Sequence, residues 1–201
     1  EKIKLYVDLM LCILPFEKAF YDKHQYVNAH YVGHPLLDEI SIPTSETQRA
    51  DTTKSIALLP GSRKQEINTL LPVMLETARN FPNEQFIITG ISGLRALYPD
   101  SFPENVTLVF DSTYKILKMA KAAIVCSGTA TLETALFNVP QVVIYKTSWL
   151  NYQLGKRLIK VPFISLPNLI ADEKIAEELI QYDCTSEKIT KELEKLMQDS
   201  K

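Results

Sequence analysis

The segment IVCSGTATLETALF, Ile124 to Phe137, joins an apolar run to a helix-forming run through a turn of small residues. We predict that Ile124–Cys126 ends a buried strand, that Ser127–Thr129 is the turn, and that Ala130–Phe137 is a short helix. A strand that enters a helix through such a turn leaves backbone N–H groups unpaired at the helix N-terminus. The helix dipole adds partial positive charge at the same place, so the turn is predicted to favour a phosphate.

Glu133 follows Ser127 by six residues and lies one turn into the predicted helix. This is not the three-residue spacing of a capping box from Ser127 or Thr129, so the carboxylate is expected to be free for a ligand hydroxyl. A phosphate at the turn and a ribose diol at Glu133 make a nucleoside diphosphate the working ligand. These residues alone leave open an ordinary strand–helix unit with an N-cap and a solvated glutamate.

From Ser55 onward, apolar strand-like runs alternate with amphipathic helical patterns. Strands are predicted over 56–59, 85–89, 107–110, 123–126 and 141–145, and helical segments over 67–78, 94–98, 112–121, 130–137, 148–159, 174–180 and 186–198. Pro72 is expected to kink or restart the first of these helices. The alternation at short intervals predicts an α/β fold with a doubly wound parallel sheet, in which ligands bind above the carboxyl ends of the strands.

The first part of the chain has a different pattern. We predict a strand over 7–14, although so short an apolar run cannot exclude a helix, then a helix over 16–23 and a strand over 29–32. Residues 41–55 are polar and lack an apolar period, which indicates a linker. Residues 1–43 are therefore expected to be the end of one domain, with a second domain beginning at residue 44.

The composition is that of an ordinary globular protein, with 46% hydrophobic and 23% charged residues. A formal net charge of -2 argues against bulk nucleic-acid binding, because there is no basic excess to neutralise phosphates. No apolar run reaches the length of a membrane span. The three cysteines and the three histidines are not spaced like metal ligands, and the cysteines favour a reduced, cytoplasmic protein.

A second group of candidate residues, Gly61-Ser62-Arg63, follows the strand predicted over 56–59. It matches neither the dinucleotide fingerprint nor the phosphate-binding loop with its lysine. The planar guanidinium of Arg63 suits a diphosphate and keeps its charge when it is partly desolvated. The alternative is a surface arginine paired with Glu66.

Two further features allow more than one interpretation. Asn168, the amide in the apolar stretch SLPNL, can cap a helix or bind a sugar hydroxyl, and the residues alone favour the cap. Lys156 and Arg157 lie at one end of the helix predicted over 148–159, and Lys160 directly follows it. They can form a solvated face or contact an anionic membrane surface.

Three motifs stand in the order found in the lipid-A-disaccharide synthase family, which this chain resembles. They are LPGSR with the following EI at 59–67, CSGTATLE at 126–133 and SLPNL at 165–169. The stretch YVGHPLLD at 31–38 also resembles that family's interdomain crossing. The resemblance covers nearly the whole chain, and the combination is more specific than any single motif.

The resemblance implies an inverting glycosyltransferase of the GT-B class, with this chain as its Rossmann-like C-terminal half. Such an enzyme transfers 2,3-diacylglucosamine from UDP to 2,3-diacylglucosamine 1-phosphate, with release of UDP, in lipid A synthesis. Residues 1–43 would then be the last elements of the N-terminal acceptor domain and the crossing. Residues 44–183 would form the donor-binding domain, and 184–201 a C-terminal helix that is cut short.

The resemblance also assigns roles to single residues. Gly61, Ser62 and Arg63 would face the donor diphosphate, and Arg63 would stabilise the leaving group. The other implied contacts are Ser127, Gly128 and Thr129 with the phosphates, Glu133 with the ribose, the Phe110 backbone with the uracil, and Asn168 with the donor sugar. No cofactor or metal is implied, because the helix N-terminus and Arg63 would stabilise the departing diphosphate. The general base would be a carboxylate of the N-terminal domain, so this chain would bind UDP or the donor without turnover.

The implied location is the cytoplasm, in peripheral contact with the inner membrane of a Gram-negative bacterium. The implied partners are the lipid donor and the lipid acceptor, without nucleic acid, and the oligomeric state is open, a homodimer included. Another UDP-sugar GT-B protein, either a transferase or a 2-epimerase, is an alternative, although the loops contain too little histidine for the epimerase. A non-catalytic nucleotide-binding module with the same fold is the alternative from a different class.

Overall fold

The computed structural model describes residues 2–40, 55–148 and 162–199. The chain divides into two compact units, Glu1–Thr44 and Ser45–Lys201. The helix predicted over 148–159, with its basic residues, lies outside the described residues except for Ser148. The predicted linker also lies outside them except for Ser55, which begins a strand.

The first unit is a small α/β arrangement. Its elements are α1 (Lys2–Tyr6), β1 (Met10–Cys12), α2 (Pro15–Lys23), β2 (Ala29–Tyr31) and α3 (Leu36–Glu39). The two strands pair in parallel over a core that contains Cys12, Tyr26 and Ala29. The strand predicted over 7–14 is therefore shorter than expected. The helix predicted over 16–23 and the strand predicted over 29–32 are confirmed.

The second unit contains a six-stranded parallel sheet. Its strands are β3 (Ser55–Leu59), β4 (Phe86–Gly90), β5 (Val106–Phe110), β6 (Ala120–Cys126), β7 (Gln141–Tyr145) and β8 (Glu177–Ile180). The order across the sheet is β5-β4-β3-β6-β7-β8, and every neighbouring pair is parallel. This confirms the predicted α/β fold. The strand order reverses between β3 and β6, which is where open α/β sheets bind ligands.

Helices follow most of these strands. They are α4 (Lys64–Arg79), a 3₁₀-helix (Ser92–Leu97), α5 (Thr113–Met119), α6 (Thr129–Leu136), α7 (Leu166–Ala171) and α8 (Ser186–Asp199). Pro72 does not restart α4, which runs continuously from Lys64 to Arg79. The helix predicted over 112–121 ends at Met119, because Ala120 already belongs to β6.

The strand β8 corrects the prediction of a helix over 174–180. Glutamate, leucine and alanine favour helices, and the apolar spacing in this segment does not oppose one. In the fold, Glu177–Ile180 instead pairs with Val142–Tyr145 of β7 and buries Leu179. Pairing with the exposed edge of the sheet satisfies backbone groups and outweighs this weak local preference.

The core lies on both faces of the sheet. Every residue of β3 is buried, and so are Ala122–Cys126 of β6, which explains why these strands are continuous apolar runs. Helices α4 and α8 contribute fully buried side chains, namely Ile67, Leu70, Met74, Ile189 and Leu193. Within the described ranges, no helix has the length and apolar character needed to cross a membrane.

Candidate functional site

A cavity of about 280 Å³ lies over the carboxyl ends of β3, β4 and β6, at the reversal of the strand order. Its lining comes from the ends of these three strands, from the residues that directly follow them, and from helices α4, α5 and α6. The lining residues are Leu59, Gly61, Ser62, Arg63, Glu66, Thr89, Ile91, Thr113, Cys126, Ser127, Gly128, Thr129, Ala130 and Glu133. The two predicted groups, 61–63 and 127–129, therefore line one cavity, as ends of adjacent parallel strands must.

The turn between β6 and α6 presents backbone donors to this cavity. The N–H of Ser127 donates to the Ile144 carbonyl at 3.0 Å, and the Ser127 hydroxyl donates to the Ile164 carbonyl at 2.9 Å. In the described part of the chain, no acceptor receives the N–H of the next three residues, 128–130. These donors stand at the positive end of the α6 dipole, so they can bind an anion.

Gly128 keeps this turn open. Its φ of 149° and ψ of -160° lie in a region that only glycine occupies without strain. A Cβ added at Gly128 would meet no atom within 4 Å, so the space in front of the backbone is empty. The turn therefore combines a special backbone conformation with free access for a ligand.

Glu66 organises the opposite side of the cavity. Its Oε2 accepts hydrogen bonds from the backbone N–H of Ser62 at 3.0 Å and of Arg63 at 3.1 Å, and its Oε1 accepts one from Arg63 Nη1 at 2.6 Å. The hydrogen bond from Arg63 to Glu66 raises the pKa of the guanidinium. Arg63 is thus paired with Glu66, as the alternative interpretation allowed, and it also lines the cavity with a side chain that is 79% exposed.

Gly61 is required by the position of Glu66. Its φ is +103°, and a Cβ at this position would lie 2.4 Å from Glu66 Oε2. A larger residue would push the carboxylate away from the N-terminus of α4. The glycine in the motif therefore serves the arrangement of Arg63 and Glu66.

Glu133 makes one hydrogen bond inside the protein, and its contact with a ligand hydroxyl stays a prediction. It lines the cavity, but the hydroxyl of Tyr114 on α5 donates to its Oε1 at 3.1 Å. Tyr114 also packs against Phe137 with ring centroids 5.5 Å apart. One carboxylate oxygen is consequently engaged, and α5 sets the direction in which Glu133 points.

Phe110 lies at the carboxyl end of β5, outside the residues that line the cavity. Its ring packs edge-on against Tyr98 with centroids 5.7 Å apart, and the guanidinium of Arg95 lies 6.0 Å from its centroid. The strand β4 separates β5 from β3 in the sheet. The structure therefore does not bring Phe110 to the cavity with residues 61–63, residues 127–129 and Glu133.

The structure corrects the predicted roles of Asn168. It is fully buried inside α7, and its amide donates to the Ala176 carbonyl and to Glu178 Oε1, both at 2.9 Å. Its Oδ1 accepts the backbone N–H of Ile175 at 3.0 Å and of Ala176 at 2.9 Å. All four hydrogen-bonding positions of the amide are filled. Asn168 is therefore neither an N-cap nor open to a donor sugar.

The cavity also contains a thiol. Cys126 ends β6, and its burial raises its pKa to about 12, so it is a neutral thiol and not a nucleophile near neutral pH. Across the described ranges, no cluster of three or more His, Cys, Asp or Glu side chains could hold a metal ion.

Sequence reasoning missed several residues of the site. Thr89, Ile91 and Thr113 line the cavity, and Tyr114 holds Glu133. A signal existed for Thr113 and Tyr114, because they begin the helix that follows a strand end. The hydrogen bond between Tyr114 and Glu133 joins two helices, and no local pattern indicates such a pair.

The fold and the position of the cavity define the class of the protein. Its fold is similar to that of a spinosyn rhamnosyltransferase complexed with thymidine diphosphate, with TM-score 0.53 and 17% identity over 80% of this chain and 41% of that chain. It is also similar to E. coli ADP-heptose lps heptosyltransferase II, with TM-score 0.52 and 12% identity over 79% of this chain and 54% of that chain. The second unit thus has the Rossmann-like fold of GT-B glycosyltransferases.

The whole chain, residues 1–201, matches the model of the lipid-A-disaccharide synthetase family. The lipid-A-disaccharide synthases of Psychromonas ingrahamii and Idiomarina loihiensis are 39% and 41% identical to it over 213 and 212 residues. Each alignment covers 98% of this chain and 56% of the relative, so the chain spans about half the length of these relatives. The chain belongs to the lipid-A-disaccharide synthetase family, which confirms the resemblance in its motifs.

Proposed function

We propose that this chain is the donor-binding part of an inverting glycosyltransferase of lipid A synthesis. The enzyme would transfer 2,3-diacylglucosamine from UDP to 2,3-diacylglucosamine 1-phosphate and release UDP. The observation that carries the proposal is the cavity at the reversal point of the sheet in a chain of this family. There the N-terminus of α6 and the guanidinium of Arg63 line the same space.

The diphosphate of UDP would bind at the N–H groups of Gly128, Thr129 and Ala130, beside the Ser127 side chain. Three convergent N–H groups and a helix dipole suit a group with negative charge on several oxygens. One neighbour supports the choice of ligand class, since the similar rhamnosyltransferase carries thymidine diphosphate. A pyrimidine nucleoside diphosphate is therefore the ligand class that we assign to the cavity.

Arg63 would bind the diphosphate from the other side. A guanidinium has five N–H donors, and the contact with Glu66 Oε1 uses one of them. The remaining donors are available to phosphate oxygens without loss of the Glu66 contact. As the bond between sugar and diphosphate breaks, negative charge builds on the leaving group, and Arg63 would stabilise it together with the α6 N-terminus.

Glu133 would accept hydrogen bonds from the ribose hydroxyls. The hydrogen bond from Tyr114 holds the carboxylate at the cavity, so less conformational freedom is lost when the ribose binds. Gly61 and Ser62 would lie next to the diphosphate, because both line the cavity beside Arg63. Among the described residues that line the cavity there is no histidine, which disfavours a 2-epimerase.

The two lipid substrates imply that the enzyme works on the cytoplasmic side of the inner membrane, in peripheral contact with it. The general base would belong to the acceptor domain of the full-length enzyme. Since the chain spans about half the length of its relatives, we expect it to bind UDP without catalysing transfer.

Calorimetric titration of the chain with UDP, UDP-GlcNAc, ADP and NAD tests the assignment of the ligand. We expect UDP to bind more tightly than ADP, and NAD to bind weakly. Equal affinity for UDP and ADP would contradict the uridine assignment and favour a non-catalytic nucleotide-binding module.

Substitution Arg63→Ala in the full-length enzyme tests the role of the guanidinium. We expect disaccharide formation to fall by about tenfold or more, because charge-assisted hydrogen bonds to the leaving group are lost. Stability should change little, since the side chain is largely exposed. Arg79→Ala at the other end of α4 is the matched control, and normal turnover of Arg63→Ala would reject the assigned role.

A further inference from the structure

We infer that Glu178 is a positioning residue for the anion-binding turn, which we define as residues 127–131. Glu178 does not line the cavity. It holds the segment 164–166, and that segment in turn holds the anion-binding turn. The inference rests on the proposed function, because it concerns how the same turn receives a diphosphate.

The carboxylate of Glu178 accepts four hydrogen bonds, three from residues 164 and 165 and one from Asn168. Its Oε2 accepts the backbone N–H of Ile164 at 3.0 Å. Its Oε1 accepts the Ser165 N–H at 3.0 Å, the Ser165 hydroxyl at 2.6 Å and the Asn168 amide at 2.9 Å. A carboxylate is the side chain that can accept this many hydrogen bonds without donating any. The chemistry of the position therefore requires an acid.

The same segment contacts the anion-binding turn at two points. The Ile164 carbonyl accepts the hydrogen bond from the Ser127 hydroxyl at 2.9 Å. The Leu166 N–H donates to the Thr131 hydroxyl oxygen at 3.4 Å, and the Thr131 hydroxyl itself donates to the Gly128 carbonyl at 2.7 Å. Two separate hydrogen-bonded routes thus lead from Glu178 to the peptide units that would bind phosphate.

Asn168 completes this network. Through its amide it connects Glu178 to residues 175 and 176, which lead into β8. The Glu178 carboxylate is therefore held relative to α7 by contacts on both sides of it along the chain. The buried Asn168 of the SLPNL motif acts on the ligand through this network and not by contact.

The direction of the N–H groups decides how well an anion binds, since a hydrogen bond weakens steeply when its angle departs from linearity. Loss of the Glu178 carboxylate would leave the partly buried N–H groups of residues 164 and 165 without an acceptor. Unsatisfied buried donors of this kind raise the free energy of the folded state. The segment would then shift to find other partners. That shift would move Ser127 and Thr131, and with them the donors of the turn.

The test compares Glu178→Gln with Glu177→Gln on the same strand, whose side chain pairs with Lys174 instead. An amide replaces one carboxylate oxygen with a donor, which must face one of the four existing donors. We expect Glu178→Gln to bind UDP at least about tenfold more weakly and to bind uridine, which lacks the phosphates, with unchanged affinity. Glu177→Gln should bind both ligands like the wild-type chain.

A merely structural role would not produce this difference between UDP and uridine, because partial unfolding lowers both affinities equally. Equal losses for the two ligands, or a UDP affinity of Glu178→Gln within about twofold of wild type, would overturn the inference. If Glu178→Gln does not fold, Ser165→Ala removes one of the four hydrogen bonds. It should weaken UDP binding by about threefold, and normal UDP binding would overturn the inference.

The two proposals fail separately. Normal UDP binding by both Glu178→Gln and wild type would overturn the positioning role alone. Absence of UDP binding by the wild-type chain would overturn the proposed function and the inference that rests on it.

Discussion

At the scale of single residues, Gly128 carries the strongest local requirement of the site. Its backbone conformation, with φ of 149° and ψ of -160°, is open to glycine and strained for other residues. We expect Gly128→Ala to lower the free energy of unfolding by about 1–3 kcal/mol, or to rearrange the turn, and in both cases to weaken UDP binding. Urea denaturation and calorimetric titration measure these two effects.

The matched control is Gly93→Ala. A Cβ at Gly93 would also meet no atom within 4 Å, but its backbone is not in the left-handed region. The control should leave UDP binding and stability near their wild-type values. If Gly128→Ala behaved like Gly93→Ala, the strain argument and the role of the turn would both be wrong.

Arg63 illustrates how one residue can satisfy two interpretations. The sequence left open a phosphate ligand and a surface ion pair with Glu66, and the structure contains the ion pair at the edge of the cavity. The guanidinium has further N–H donors beyond the one that contacts Glu66. The ion pair therefore orients Arg63 and leaves it able to bind a ligand. Glu66 can therefore support a ligand-binding role of Arg63.

At the scale of elements, the C-terminal helix α8 belongs to the core of the second unit. Ile189 and Leu193 are fully buried, and Asn80 after α4 donates to the Thr190 hydroxyl at 2.9 Å. The family resemblance implies a C-terminal helix over 184–201, and α8 lies in the same compact unit as the sheet, Ser45–Lys201. The helix is therefore expected to contribute directly to the stability of the second unit.

We expect Leu193→Ala to lower the free energy of unfolding by about 2–5 kcal/mol, because it removes buried methyl groups and leaves a cavity. Lys191→Ala on the exposed face of α8 is the control and should stay within about 0.5 kcal/mol of wild type. Urea denaturation of the two variants provides the measurement. Equal stability of both would show that α8 does not pack against the sheet as described.

Strand β8 is the element that local reasoning assigned wrongly. Its four residues, EELI, include two glutamates, and the apolar spacing of 174–180 does not exclude a helix. The free edge of β7 decides the outcome, since pairing there provides backbone partners along 177–180. An edge strand of this kind depends on its neighbour, which is distant in the sequence.

At the scale of the whole molecule, buried thiols couple stability to pH. Burial raises the pKa of Cys126 to about 12 and also raises that of Cys184, compared with 9.0 for an unperturbed thiol. In the folded protein these thiols keep protons that the unfolded chain releases above pH 9. The contribution of Cys126 to stability is therefore complete below pH 9 and is lost as the pH rises toward 12, and that of Cys184 changes in the same direction.

We expect the free energy of unfolding to decrease above about pH 9 by up to about 1.4 kcal/mol per pH unit for each buried thiol. Urea denaturation at several pH values between about 8 and about 11 measures this slope. Cys126→Ala should reduce the slope, which separates the thiol from other groups that titrate in this range. An identical slope in Cys126→Ala would contradict the assignment.

Much of the fold could be predicted, for a physical reason. Strands of a parallel sheet are buried on both faces, so β3, β6 and β7 stand out as apolar runs, and short helices with turn residues separate them. The convergence of Arg63 and Ser127 on one cavity followed from the rule that the carboxyl ends of adjacent parallel strands share an edge. Local pattern and fold agree in these elements.

The sequence by itself determined the family, the parallel sheet and the edge at which a ligand would bind, because periodicity and motif order are local properties of the chain. Only the tertiary structure decided that Asn168 is sealed in a network with Glu178, that Tyr114 holds Glu133, and that 177–180 form a strand. In each case the deciding hydrogen-bond partner lies on another element of the fold. Side-chain and edge-strand pairings between distant residues produce no periodic pattern in the sequence. They can therefore be identified only from the folded structure.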